Sequence, residues 1–181
     1  QMCIRDSAIS FTGSTAAGEQ IHRGAGLTTR TQMELGGKNP LIVLADADLD
    51  RAVDLAVKGG FSLSGQACTG TSRVLVDAKV RQAFTDKLVA RVKTLTLGNG
   101  LDGNFDLGPL ATRKQLDNVL SYVAVGKEEA THLCGGDVLT GPGFDRGYYV
   151  TPALFTDVTQ QMRIAREEIF GPVIALIEVC L

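Results

Sequence analysis

Cysteine and histidine are scarce in this chain of 181 residues. Four cysteines, Cys3, Cys68, Cys134 and Cys180, are too sparse for a disulfide scaffold. They form no C-x-x-C pair, and the two histidines, His22 and His132, lie far apart. Zinc-ligand patterns are therefore absent and no metal site is expected. Charge of one sign is lacking too: 18 Lys and Arg face 20 Asp and Glu, for a formal net charge of -2. No basic surface dominates, which argues against nucleic acid as a partner. The longest apolar run, Pro172 to Ile177, falls far short of the roughly 20 residues that a membrane-spanning helix needs. The first residues lack a basic segment followed by an apolar run, so no signal peptide is visible. These absences predict a soluble, cytoplasmic protein with no membrane partner.

What the chain does have is an ordinary apolar content, 44%, and 21 glycines that cluster between periodic segments. Such punctuation is typical of an alternating α/β chain. Asp48 is expected to cap a helix with Leu49, Ala52, Val53, Ala56 and Val57 on one face. Asp77 is expected to cap a second, striped by Val80, Phe84, Leu88, Val92 and Leu95, and Thr112 a third, striped by Leu116, Val119, Leu120 and Val123. Each stripe reads as core packing. Leu41–Leu44, Val74–Val76, Val150–Phe155 and Val173–Ile177 read as buried strands, and Ile9–Phe11 as one more strand entering a Gly-rich turn and a helix. The fold class expected is α/β, a mostly parallel sheet covered by helices. Position 1 is not Met, Gln1–Ser7 has no periodicity, and the apolar run Ile174–Leu181 ends without a cap. The chain is accordingly expected to be an internal piece of a longer protein, with Gln1–Ser7 foreign to the parent gene.

Four segments carry chemistry. Phe11-Thr12-Gly13-Ser14-Thr15-Ala16-Ala17-Gly18 follows a strand and opens a helix. That junction turns unpaired N–H groups and the positive helix end toward an anion, commonly a phosphate. It is not a Walker P-loop, because Glu19-Gln20 stand where Lys-Ser/Thr is required, and taken alone it is equally a tight turn without a ligand. In Met33-Glu34-Leu35-Gly36-Gly37-Lys38-Asn39-Pro40, an acid among apolar neighbours precedes paired glycines. A desolvated carboxyl of this kind suits base work; a structural pairing of Glu34 with Lys38 or a helix dipole is the alternative.

Cys68, in Phe61-Ser62-Leu63-Ser64-Gly65-Gln66-Ala67-Cys68-Thr69-Gly70-Thr71-Ser72, lies in a polar, Gly-flanked loop outside any apolar stripe. It is the best candidate for a reactive thiol, against the usual reading of a lone cysteine as packing. Cys134 reads as a packing residue at a strand end, and Cys3 and Cys180 receive no role. Glu167-Glu168-Ile169-Phe170-Gly171-Pro172 suggests a loop presenting a carboxylate, suited to sugar hydroxyls, together with a ring. Locally, a helix end with a solvated acid explains it as well.

Taken together and in this order, the four segments resemble the aldehyde dehydrogenase superfamily, over roughly Ile9 to Val179. Met33–Pro40 resembles its glutamate signature and Phe61–Ser72 its cysteine signature, with Glu34 and Cys68 at the family's usual separation of 34 positions. The resemblance implies NAD(P)-dependent oxidation of an aldehyde to a carboxylic acid. Cys68 would be the nucleophile, passing through a thiohemiacetal and a thioester, and Glu34 the base that activates the hydrolytic water. The oxyanion would be held by the Cys68 N–H and an Asn upstream of this chain. Cofactor contacts would come from Gly13, Ser14 near the phosphates, Leu35 through its backbone near the nicotinamide, Glu168 on the nicotinamide ribose and Phe170 beside it. Gln66 is left to loop structure.

The resemblance also assigns residues 1–36 to the end of the cofactor-binding domain and 37–181 to most of the catalytic domain. The residues choosing NAD or NADP lie upstream, and the oligomerisation segment of an expected homo-oligomeric parent lies downstream. His22-Arg23, Leu27–Gln32 and Ser64–Ser72 look most like bacterial 2-oxoglutarate (alpha-ketoglutarate) semialdehyde dehydrogenases. Succinate semialdehyde or broad aliphatic aldehydes are the next choice. Two other classes compete: a cysteine hydrolase or acyltransferase, which needs His22 or His132 beside Cys68, and a non-catalytic piece lacking half the cofactor site.

Overall fold

The glycine-punctuated apolar runs become seven strands and five helices among residues 7–180, which the structure, a computed structural model, describes. The chain divides after Gly37 into two compact units. In the first, β1 (Ala8–Gly13) runs into α1 (Thr15–Gly24) and returns as β2 (Arg30–Leu35), parallel to β1. Ser14 caps α1, its Oγ accepting from the Ala17 N–H at 3.3 Å. Gly18 is the buried residue of this helix; a Cβ there would come within 2.6 Å of the Leu35 side chain, so glycine lets α1 lie close on β2. Of the segment expected to be foreign, residues 1–6, including Cys3, lie outside the described residues. The Ser7 carbonyl accepts from the Arg30 N–H at 3.0 Å, continuing the β1–β2 pairing.

The second unit is a five-stranded sheet. Its order is β3 (Asn39–Val43), β4 (Thr71–Asp77), β7 (Val173–Val179), β6 (Ala153–Thr156) and β5 (Thr131–Cys134). All pairings are parallel except β5 with β6. Side chains alternate between the faces of a strand, and β7 shows why its sequence is apolar from Val173 to Ile177. Ile174 and Leu176 join Leu154, Val74 and Val76 in a core under α2 (Leu49–Phe61) and α3 (Arg81–Val92). Val173, Ala175 and Ile177 join Ala153 and Phe155 in a second core under α4 (Arg113–Glu129) and the short α5 (Arg163–Arg166). Each fully buried Leu, Ile, Val or Phe contributes about 1.5–3 kcal/mol. The α/β class and the mostly parallel, helix-covered sheet are therefore as expected.

Asp48 and Thr112 cap α2 and α4 as the sequence predicts, through bonds to the Asp50 and Arg51 N–H groups and to the Gln115 N–H. Asp77 does not cap a helix. It ends β4, is buried, and accepts from the Lys79 N–H at 2.9 Å, so α3 begins four residues later. The strand expected over Val150–Phe155 starts only at Ala153. Pro152 has no N–H for a ladder, and Val150 pairs separately with Val138. No helix among the described residues is long and apolar enough to cross a membrane.

Candidate active site

The parallel register of the first unit sets Thr12 beside Glu34 and Gly13 beside Leu35. Gly13, Ser14, Glu34 and Leu35 therefore share the carboxyl end of one strand pair, where parallel α/β units bind ligands. The first turn of α1 contains no acidic residue, and its free N–H groups together with the Ser14 hydroxyl fit a phosphate. Glu34 is exposed within this unit rather than desolvated, and accepts from Gln32 Nε2 at 2.9 Å.

Cys68 lies on the loop that leaves α2 and leads to β4, and is exposed. The path of this loop is unusual. Leu63 and Ser64 take left-handed φ angles of 53° and 56°, followed by Gly65 at 71°. The two non-glycine residues there each cost on the order of 1–3 kcal/mol, sustained only by surrounding bonds. Those bonds are present. Ser64 is buried and its Oγ donates to the Gly108 carbonyl at 2.8 Å. The Gln66 amide donates to the Leu63 carbonyl at 3.1 Å and accepts from the Ala111 N–H at 2.8 Å. A Cβ on Gly65 would overlap the Gly171 carbonyl, so this loop rests directly on the Gly171-Pro172 turn. Asn39, at the start of β3, donates from Nδ2 to the Cys68 carbonyl at 2.6 Å and to that of Gly70 at 3.4 Å.

The Glu167–Pro172 segment is braced in the same way. Phe170 is left-handed, with φ 55°, and exposed. Gln115 Nε2, on the first turn of α4, donates to the carbonyls of Ile169 (3.0 Å) and Phe170 (2.7 Å), and Asn118 Nδ2 donates to Ile169 at 3.0 Å. Glu167 is engaged structurally: Arg163 holds both its oxygens at 3.0 Å and the Tyr122 hydroxyl donates at 2.7 Å. Those hydrogen bonds, Arg163 first, bring its carboxyl down to about 2. Glu168 and the Phe170 ring remain as the carboxylate and aromatic that fit a ribose and its base. The Lys38 ammonium, within electrostatic reach of Glu168 and Glu167, is buried without a hydrogen-bond partner. Burial, reinforced by Arg73, lowers its pKa to about 8, while Glu168 and Glu167 pull the other way.

Cys134 closes β5 and packs against the α2–α3 core, where burial pushes its thiol up, in keeping with a packing role. His132 Nε2 is bonded to the Gly135 carbonyl at 2.9 Å, and His22 Nδ1 to Thr31 Oγ1 at 2.8 Å. Both rings thus have structural partners other than a thiol. Among the described residues, no group of three or more His, Cys, Asp or Glu is placed to hold a metal ion. Sequence reasoning missed Asn39, Tyr122, Arg163, Gln115 and Asn118.

Residues 5–180 match the model of the aldehyde dehydrogenase family. The chain belongs to that family. It is 47% identical over 175 residues to an alpha-ketoglutaric semialdehyde dehydrogenase of Bacillus subtilis, covering 96% of this chain and 36% of that aldehyde dehydrogenase. Among solved structures, it superposes on a betaine aldehyde dehydrogenase from Staphylococcus aureus in complex with NAD+, with a TM-score of 0.92 and 37% identity, over 97% of this chain and 35% of that one. A 1-pyrroline-5-carboxylate dehydrogenase from Thermus with bound NAD gives a TM-score of 0.89 and 34% identity, over 96% and 34%. The chain thus spans about a third of the length of these relatives. The fold is the aldehyde dehydrogenase fold over the part present.

Proposed function

We propose that the protein carrying this chain oxidises an aldehyde to a carboxylic acid with NAD or NADP. Cys68 is the nucleophile, Glu34 the hydrolytic base, and Gly13, Ser14, Leu35, Glu168 and Phe170 the cofactor contacts. The observation that carries the proposal is the exposed Cys68 on a loop bonded on both sides, in a chain of this family. The phosphate fits the α1 N-terminus and Ser14, and the ribose hydroxyls fit Glu168.

The Cys68 thiolate attacks the carbonyl carbon, forming the S–C bond and a thiohemiacetal oxyanion that the Cys68 N–H stabilises. When bound, the nicotinamide supplies the acceptor for the hydride that leaves this carbon. The carbonyl then re-forms as a thioester on Cys68 Sγ. Glu34 takes a proton from water as its oxygen attacks the thioester; the C–S bond breaks and the thiolate is restored. A thiol serves both halves, being a strong nucleophile and a good leaving group.

The substrate proposed is 2-oxoglutarate semialdehyde, on the strength of the 47% identity to the Bacillus subtilis enzyme of that name. Succinate semialdehyde or an aliphatic aldehyde is the second choice. The setting proposed is cytoplasmic, with the parent a homo-oligomer. The test is reduced-nicotinamide formation by the full-length protein with each aldehyde and each cofactor. Turnover lost on alkylating Cys68 supports the reading, and no turnover with any aldehyde refutes it.

A further inference from the structure

The cysteine loop and the Glu168–Phe170 segment, far apart in sequence, are fastened to the same short stretch of chain. Gln66, two residues before Cys68, accepts from the Ala111 N–H at 2.8 Å. Ala111 directly precedes Thr112, the N-cap of α4. One turn on, Gln115 donates to the carbonyls of Ile169 and Phe170, and Asn118 again to Ile169. Ser64 is tied to Gly108, just before this stretch. Leu63, Ser64 and Phe170, the strained non-glycine residues of the two segments, therefore all sit beside bonds to residues 108–118.

We infer that Gln66 is a positioning residue that mounts Cys68 on the residue directly before the α4 N-cap, in register with the segment proposed to hold the nicotinamide ribose. The inference rests on the aldehyde-oxidising reading. Hydride transfer depends steeply on the separation between the carbon that gives up hydride and the carbon that takes it, and a misplacement of about 1 Å can cost 10²-fold. In this arrangement, the carbon that loses hydride is attached to Cys68 Sγ, and its acceptor is held by Glu168 and Phe170. A single rigid helix start serves as the reference for both. Gln66 touches neither reacting atom; it acts through the loop backbone. Its amide is used at both ends, Nε2 on Leu63 and Oε1 on Ala111, so no other residue of similar size and a single polar function replaces it.

The test uses the full-length protein with Gln66→Met, Ala111→Pro and the double variant. Ala111→Pro removes the same bond from its other end, because proline has no N–H. Rapid mixing at saturating aldehyde and cofactor reads the first-turnover burst. Fluorescence titration with reduced cofactor reads binding. The expected result is a burst slowed about 10–100-fold in each single variant, with a larger primary deuterium isotope effect and cofactor affinity within two-fold of wild type. The double variant is expected to be no slower than the worse single one. Both single variants keeping the wild-type burst rate, or losing rate only in proportion to cofactor affinity, would overturn the inference. Should wild type oxidise no aldehyde, the underlying reading fails by itself. Amide hydrogen exchange across residues 62–70 without substrate then decides the tether: faster exchange in Gln66→Met supports it, and unchanged exchange overturns it.

Discussion

The side-chain amide of Asn39 donates to the carbonyl oxygen of Cys68 at 2.6 Å. Asn39 begins β3 and Cys68 sits on the approach to β4, the next strand of the sheet. The bond therefore ties the proposed nucleophile to the edge of a rigid sheet, and it fixes the peptide plane that follows Cys68. The bond is exposed, so removing it costs only the net worth of an ordinary hydrogen bond, about 0.5–1.5 kcal/mol. Asn39→Ala in the full-length protein is expected to slow acylation about tenfold while leaving cofactor binding unchanged. Asn39→Asp should be worse, since a carboxylate oxygen would face the carbonyl oxygen. A first-turnover burst at the wild-type rate in both variants would show that the bond plays no part in presenting Cys68.

Acid titration reports on Tyr122, Arg163 and Glu167. Arg163, and then Tyr122, hold the Glu167 carboxyl down at about 2, against an ordinary 4.5. A depressed carboxyl lends stability that is present above its unfolded value and lost as pH falls toward its folded one. Thermal melts of wild type should therefore lose stability between about pH 5 and 2 more steeply than melts of Glu167→Gln. The group is solvent-accessible, so the effect should shrink in high salt. Parallel acid limbs for the two proteins would contradict the account.

At Lys38 folding disfavours the charged form, whereas at Glu167 it favours it. Its folded pKa of about 8 lies below the ordinary 10.5, so between those values the unfolded chain holds more protons and stability rises with pH. Lys38→Met should abolish that rise and stabilise the full-length protein at pH 7 by on the order of 1–3 kcal/mol, because an ammonium buried without a hydrogen-bond partner is removed. Denaturant melts at pH 7 and pH 10 check this. Destabilisation at pH 7 would mean that the ammonium has a strong partner in the complete protein.

Gly65 combines φ of 71° with direct contact on the Gly171 carbonyl. Gly65→Ala should cost about 2–4 kcal/mol through strain and overlap together, read as a fall in melting temperature. A loss under 1 kcal/mol would mean the loop can move away from the Gly171-Pro172 turn without consequence.

In the central sheet β7 was legible because Val173–Ile177 are apolar on both faces and β4 because Val74–Val76 form an apolar run, and the α2 and α4 caps because Asp48 and Thr112 stand directly before periodic stripes. Asp77 misled because a buried acid closing a strand turn looks like an N-cap in one dimension. β2, Arg-Thr-Gln-Met-Glu-Leu, escaped notice because it is a half-exposed strand rich in polar residues, with no apolar run. β5 is a four-residue edge strand, mostly polar at its start. Cys68 and Glu34 stood out from their local surroundings. Asn39, Gln66 and Gln115 act on backbone atoms 29 to 55 positions away, and no local pattern announces a side chain that bonds to a distant carbonyl or N–H.

The most direct test of the central claim is intact-protein mass spectrometry of full-length Glu34→Gln after mixing with cofactor and 2-oxoglutarate semialdehyde. With the deacylating base removed, the thioester should accumulate, raising the mass by one acyl group that peptide mapping places on Cys68 and that hydroxylamine releases. An unmodified Cys68 in a variant that still forms reduced cofactor, or an adduct on a different residue, would contradict the account.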